Sequence, residues 1–314
     1  MLKKHIINNL SSFLGFVLLG ISIVAIHQEL RQYNYNEIFN SLVNLPATSL
    51  YLSIGFTILS YMGIGCYDTV SFYYLKHPIS YKKSIFTGFI SEAATNTVGM
   101  AFLTGSAIRY RYYSNWGVTA LEIAQIIAFE NVSFWLGLFA VSGVVFLTHP
   151  ITIPAQIQLP FLSVQPLGLI FLMLAAAYIA GSIFSKKSLK IREHEFRFPS
   201  LKIALMQLGI SSLDWVFTGA VLFVLLPETP SLSFFSFLGV FLLAMLVAAV
   251  SNVPGGLGVF ESIILLLLSD KISPTVIMGT LLAYRAVYYL FPLAVATGLM
   301  GAYEIKEKLK KRSP

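Results

Sequence analysis

Apolar residues run along this chain in long blocks, separated by short polar stretches. The blocks lie at about 10–26, 47–75, 85–113, 117–147, 167–185, 203–226, 234–268 and 274–303. Each is long enough to cross a bilayer, which takes roughly 20 apolar residues as a helix. A transmembrane β-barrel would alternate apolar and polar residues in strands of about ten. The continuous runs at 234–250 and 263–268 predict helices instead. Two blocks are not simple spans. The block at 85–113 carries Glu92, Asn96, Gly99 and Gly105 in its middle, and the one at 234–268 is interrupted by Pro254-Gly255-Gly256. Proline and paired glycine stop a helix. Both are read as re-entrant hairpins, each made of two half-helices. The expected fold is an all-α polytopic membrane protein with six full transmembrane helices plus two re-entrant helical hairpins. Residues 28–45 place Ile38, Leu42 and Leu45 at helical spacing; a plain loop and a helix lying in the membrane interface are both compatible with that pattern.

Composition agrees. Of the 314 residues, 56% are hydrophobic and 11% charged, and the mean hydropathy is +0.77. Soluble domains carry about 25% charged residues, so a soluble enzyme and a disordered chain are both excluded. Cys66 stands alone, which excludes an internal disulfide and any CxxC metal site. The net charge of +7 would suggest nucleic acid in a soluble protein, but here it reflects positive loops on one membrane face. With both termini inside, every Lys and Arg except Arg31, Lys271 and Arg285 falls on the cytoplasmic side. If either hairpin were a single crossing, all later loops would invert and this bias would vanish.

The chain also repeats. Asn96 and Asn252 lie 156 residues apart, and residues 93–99 (AATNTVG) align there with 249–255 (AVSNVPG). The same offset relates the starts of the surrounding spans. Each half then holds two spans, a hairpin and a third span. An odd number of crossings requires the second half to be inverted, a recurrent design of secondary transporters. The predicted division is one membrane domain, 1–314, with a first repeat at 10–147, an external linker at 148–166, a second repeat at 167–303 and a basic cytoplasmic tail at 304–314. The breaks would be formed by Asn96, Gly99, Asn252, Pro254, Gly255, Gly256 and Gly258, with freed backbone N–H groups that favour an anion.

An ionisable side chain in the bilayer costs about 2.5–3.5 kcal/mol or more and marks function by default. Asp68, Glu92, Arg109, Glu130, Asp214, Glu261 and Arg285 are the candidates. Arg109 and Arg111 lie near a span end, where they can snorkel to the interface; Asp214 and Arg285 lie in mid-span. For Arg285 the candidate internal partners are Glu130 and Glu261, and a lipid phosphate is the external one. The alternative to a polar cavity is buried ion pairing that only fixes helix register. No HExxH, GxSxG, Walker A or DxD pattern occurs and the five histidines are scattered, so no catalytic residue, metal or cofactor is assigned.

Several motifs carry a resemblance. They are 66–70 (CYDTV), 96–99 (NTVG) with 105–109 (GSAIR), Asp214-Trp215, 253–261 (VPGGLGVFE) and 284–292 (YRAVYYLFP). In order and spacing they resemble the N-terminal flippase domain of the multiple peptide resistance factor, the bacterial lysylphosphatidylglycerol synthase and flippase family. The resemblance covers nearly the whole chain. It implies a flippase-like transporter that moves aminoacylated phosphatidylglycerol, or a related polar-headed lipid, between leaflets of the bacterial cytoplasmic membrane and so gives resistance to cationic antimicrobial peptides. It places the family's functional acidic and basic positions on Asp68, Arg109, Asp214 and Glu261. Glu261 stands where the best-matching relatives carry a shorter acid, and Asp214 where they carry a longer one. The synthase domain that follows in the bifunctional members is not in this sequence, so lysyl transfer is not expected of it. A phospholipid is the expected partner, with a separate synthase or a second copy as further candidates. The competing readings are a translocator of another lipid-linked headgroup and a membrane scaffold for a lipid synthase.

The charge distribution makes a direct topological prediction. In a Cys66→Ser background, Thr152→Cys and Thr229→Cys should react with a membrane-impermeant thiol reagent on intact cells, and Ser188→Cys only after permeabilisation. Labelling of Ser188→Cys from outside would reverse the assignment.

Overall fold

The computed structural model describes residues 35–98, 101–152, 163–184, 189–191, 194–196, 198–251, 253 and 256–310. The expected first span at 10–26 therefore lies outside the described residues, as do Gly99, Asn252, Pro254 and Gly255. The chain is all-α in class. In order, the helices are α1 (Tyr35–Val43), α2 (Ala47–Leu75), α3 (Tyr81–Val98), α4 (Ala101–Asn115), α5 (Ala120–Thr148), α6 (Gln165–Phe184), α7 (Leu201–Phe223), α8 (Phe234–Ser251), α9 (Val259–Leu268), α10 (Pro274–Tyr284) and α11 (Phe291–Lys310). A π-helical turn, Arg285–Leu290, joins α10 to α11. A short antiparallel pair, β1 (Leu189–Ile191) and β2 (His194–Phe196), follows α6; nothing in the hydropathy pattern announced it. Within residues 28–45 the described part is helical over Tyr35–Val43: α1 packs against α10, with Leu42 and Leu45 against the main core.

Among the described residues, six helical segments are long and apolar enough to cross a membrane: α2, α5, α6, α7, α8 and the continuous run from Pro274 to Leu309. Five of them are expected full spans; the sixth, α8, is not one of those, and the expected span at 10–26 lies outside the described residues. Helix α8, read as a half-helix, is long enough to span, since its 18 residues extend about 27 Å at 1.5 Å per residue. It is also the centre of the core. Phe237, Leu238, Phe241, Leu242 and Leu243 are wholly buried, as expected of a helix that is apolar all round and enclosed by others. Helix α6 is equally apolar but buries only Gly168, Phe171 and Ala175.

Both interrupted blocks fold back on themselves. A Cβ on Gly105 in α4 would crowd the Thr95 side chain and lie 3.5 Å from the Ser91 carbonyl oxygen in α3. At the other end of the pair the Tyr113 hydroxyl lies 3.5 Å from the Ser84 carbonyl. Helices α3 and α4 are therefore antiparallel. In the second block the Phe241 and Phe260 rings meet at 5.7 Å, and a Cβ on Gly256 would lie 3.0 Å from Ala248. The chain turns there through positive φ at Gly256 (+61°) and Gly258 (+77°), a conformation that glycine adopts without strain.

The longest contact is that of α2 with α7, and α5 packs on α6 and α7. The approach of α5 to α7 is close enough to depend on a missing side chain. A Cβ on Gly137 would fall 2.7 Å from both the carbonyl carbon and oxygen of Ser211, as at small-residue contacts in membrane helix pairs. Gly137→Val should therefore lower the detergent-solubilised protein's stability by about 1–3 kcal/mol, read as a fall in melting temperature. Gly55→Val, with no atom within 4 Å of its added Cβ, is the control and should leave it nearly unchanged.

Candidate functional site

The predicted charged residues gather into two ion-paired groups and one hydroxyl-bound acid. The first group centres on Arg109 of α4, which is 4% exposed and does not snorkel to the interface. Its Nη2 lies 2.6 Å from Glu130 of α5, 3.2 Å from Asp68 of α2 and 4.0 Å from Glu92 of α3. Its Nε also donates to Asp68, at 3.4 Å. Asp68 is wholly buried and accepts a further hydrogen bond from the Tyr113 hydroxyl, one turn beyond Arg109. The approach depends on Gly88, whose Cβ would stand 3.2 Å from the Asp68 carboxyl carbon. One guanidinium is thus shared by three carboxylates from three helices. The second oxygen of Glu130, Oε1, is buried without a hydrogen-bond partner. Arg111, by contrast, pairs at 2.7 Å with Glu304 of α11.

The second group is Arg285 with Glu261. Arg285 donates to Glu261 through Nε at 2.7 Å and through Nη2, and its guanidinium lies 5.1 Å from the centre of the Tyr289 ring. Of its two predicted partners, Glu261 is the one bound; Glu130 belongs to Arg109. Glu261 also acts as a cap. Its Oε2 accepts the Gly258 N–H at 2.9 Å, so the N-terminus of α9 is closed by its own carboxylate. The anion expected at the Gly258 amide is supplied from within the chain.

Arg285 opens the π-turn, and Pro292 accounts for part of that geometry. A proline has no N–H to return to the carbonyl four residues back. The Tyr288 carbonyl, which would lack that donor, accepts from the Tyr61 hydroxyl of α2 at 3.1 Å. The next carbonyl, of Tyr289, accepts from Thr97 of α3 at 3.3 Å. The Phe291 N–H reaches back to Ala286 instead. Such single π-turns recur at functional sites. Asn96, expected at a break, lies in the last turn of α3, its side-chain amide donating to the Tyr61 hydroxyl at 3.4 Å.

Asp214 of α7 belongs to neither ion pair and is held by hydroxyls. Ser60 donates to it at 2.5 Å and Tyr67 at 3.3 Å, both from α2. Ser60 also touches Thr218 and the Tyr288 hydroxyl. Glu92 acts electrostatically on Asp214 as well as on Arg109. Among the described residues no cation lies within ion-pair distance of Asp214. Among them, too, no group of three His, Cys, Asp or Glu side chains could hold a metal. The hydroxyls of Ser60, Tyr67, Tyr113, Thr218 and Tyr288 were missed from sequence, because serine, threonine and tyrosine are frequent in membrane helices. The one available signal was spacing, with Tyr113 four residues after Arg109 and Tyr288 inside the tyrosine-rich run after Arg285.

These features define a multi-pass α-helical membrane protein with buried acid–base groups at broken helices. The family model for the transmembrane region of lysylphosphatidylglycerol synthase matches residues 12–296, and the chain belongs to that family. It is 41% identical over 301 residues to an uncharacterised protein of Synechocystis sp., covering 95% of this chain and 93% of that one. It is 29% identical over 268 residues to the inner membrane protein YbhN of Escherichia coli, covering 85% and 83%. It is 25% identical over 305 residues to a phosphatidylglycerol lysyltransferase of Staphylococcus xylosus, covering 95% of this chain but 34% of the enzyme. The resemblance carried by the motifs is thereby established.

The Arg109 network makes a stability prediction. Removing one partner of a buried pair leaves an uncompensated charge and costs about 3–5 kcal/mol. Arg109→Leu should cost that much, and adding Asp68→Asn should recover part of it. Unfolding followed by tryptophan fluorescence in detergent measures both; equal stability of Arg109→Leu and wild type would remove the network from the fold's supports.

Proposed function

We propose that this protein translocates a lipid with a cationic, aminoacylated headgroup, such as lysylphosphatidylglycerol, between the leaflets of the bacterial cytoplasmic membrane. The observation that carries the proposal is the excess of acid in the first group. Asp68, Glu92 and Glu130 share Arg109, and Asp214 stands nearby with hydroxyl partners only. Buried charge of one sign calls for a counter-charge. An ammonium headgroup supplies it, whereas a purely anionic headgroup would be repelled. A lysyl lipid presents amines and a phosphate together. The amines suit Asp214 and Glu92, and Arg109 and Arg285 are the groups that suit the phosphate.

The family and the lysyltransferase relative support a lipid as substrate. The aligned part is about a third of that enzyme, and the reading here is transport without transfer chemistry. Protection against cationic peptides would follow, since lysyl lipid in the outer leaflet lowers its negative charge.

The inverted repeat belongs to this proposal. Long helices α2 and α7, equivalent under the offset, are each other's main partners. Helix α3 packs on α11, and its counterpart α8 packs on α5, the counterpart of the last segment. A two-fold relation in the membrane plane requires both kinds of pairing. The two folded-back pairs would then be re-entrant and meet near the midplane. A polar cleft open sideways would let acyl chains trail in lipid.

Proteoliposomes with fluorescent lysylphosphatidylglycerol and phosphatidylglycerol compared side by side test the reading. Wild type should move the lysyl lipid faster. Asp214→Asn and Glu92→Gln should slow it by tenfold or more, with a smaller effect on the anionic lipid. Equal losses for both would mean that these acids hold the fold and do not read the headgroup.

A further inference from the structure

The contacts around Asp214 contain more hydrogen-bonded pairs than hydrogens. The Ser60 hydroxyl meets Asp214 Oδ1 at 2.5 Å, Thr218 Oγ1 at 3.2 Å and the Tyr288 hydroxyl at 3.1 Å. Thr218 meets the Tyr288 hydroxyl at 2.9 Å and donates to the Asp214 main-chain carbonyl at 2.8 Å. Five contacts are shared by three hydroxyls, each with a single hydrogen. With Asp214 ionised, at least two contacts face oxygen against oxygen with nothing between them. A hydrogen on the Asp214 carboxyl changes the count. The acid then donates to Ser60, Ser60 turns its hydrogen to Tyr288 or Thr218, and the ring gains a fourth bond.

The surroundings favour the neutral acid. The groups that face Asp214 are Tyr67 of α2 and Tyr288 of the π-turn, with Glu92 of α3 at longer range. None is cationic. On the other helices packed against α7, Glu130 of α5 is bound to Arg109, Tyr178 of α6 to Gln207, and α8 has no titratable side chain. Tyr284 of α10 stacks on Tyr288. A carboxylate with this environment in the bilayer has no counter-ion among the described residues.

We propose that Asp214 is a proton-binding site, protonated when the headgroup site is empty, and that a lipid ammonium displaces that proton. The exchange balances: a carboxylic acid and an ammonium become a carboxylate–ammonium pair, and one proton leaves to water. The Ser60, Thr218 and Tyr288 hydroxyls relay it by turning their own hydrogens. Lipid movement is then an exchange of a cationic headgroup for a proton, which names an energy source: the proton gradient drives the headgroup against its own gradient. The exchange step rests on the proposed cationic lipid; the proton site itself does not.

Infrared difference spectroscopy of the full chain in phosphatidylcholine nanodiscs, without substrate lipid, tests the site. A carboxylic-acid carbonyl band should be present at neutral pH, titrate away as pH rises, and be lost in Asp214→Asn. Asparagine is isosteric and keeps the Ser60 contact. Asp214→Glu should retain a shifted band, and Ser60→Ala should lower the pH at which the band disappears, because the ring's gain from the acid is lost. A band unchanged in Asp214→Asn, or absent from wild type across the range, overturns the proposal. Adding lysylphosphatidylglycerol should then abolish the Asp214 band and release protons in a weakly buffered sample. An Asp214-dependent band that this lipid leaves intact keeps the proton site and overturns the headgroup reading. Lipid that binds and moves while the band persists overturns the exchange.

Discussion

A guanidinium cannot be neutralised at any accessible pH, so an arginine taken into the bilayer dictates what surrounds it. Among the described residues this happens twice, with Arg109 4% and Arg285 6% exposed. Everything near them follows from that demand. Arg109 draws carboxylates from α2, α3 and α5 onto α4 and so ties a folded-back pair to two long helices. Arg285 draws Glu261 across from α9 and fixes the second folded-back pair against the π-turn. Apolar packing in lipid is weakly directional, because lipid tails are as apolar as leucine. The ion pairs therefore supply register that the surrounding leucines and phenylalanines cannot.

The second demand comes from the backbone. Wherever a helix is interrupted within a membrane, the freed N–H and carbonyl groups must be satisfied by protein. At the α8–α9 break the Gly258 N–H is met by Glu261, the same carboxylate that holds Arg285. At the π-turn the Tyr288 carbonyl is met by Tyr61 and the Tyr289 carbonyl by Thr97. These bonds join α2 and α3 to the last spanning segment, so that the break near one arginine is closed by the helices that surround the other. The tyrosines do two things here: their rings fill the core and their hydroxyls repair the backbone.

This shows which parts were legible in the sequence. Helix positions were, because hydropathy in membrane spans is a one-dimensional signal. The interruption between Ser251 and Val259 was, because proline and glycine act locally. The buried charges stood out against an apolar background. Their partners did not. Arg109 lies only a few residues from a loop, and the sequence allows it to snorkel; only the fold shows Asp68, 41 residues earlier, opposite it across Gly88. The choice of Glu261 over Glu130 for Arg285 is likewise a matter of which helices meet. That α8 lies at the centre of the core depends on enclosure by neighbours, which local pattern does not encode. The hydroxyls around Asp214 carry no sequence signal, since hydroxyl residues are common in such helices and matter only in company.

The two arginine groups differ in charge, and that difference separates support from work. Arg285 pairs with a single carboxylate, Glu261, whose spare oxygen is used as a helix cap. Around Arg109 three carboxylates share one cation, one carboxylate oxygen is buried unbonded, and Asp214 adds a fourth acid at the edge. A structure selected for stability alone would neutralise these acids or remove them, since replacing buried ionic groups by apolar ones is often neutral or stabilising. Uncompensated charge in a membrane is a standing free-energy cost of several kcal/mol, and a mobile cation or proton is what relieves it. The Arg285 pair anchors the second broken helix, and the acid-rich group at the first is where the proposed exchangeable positive charge would sit.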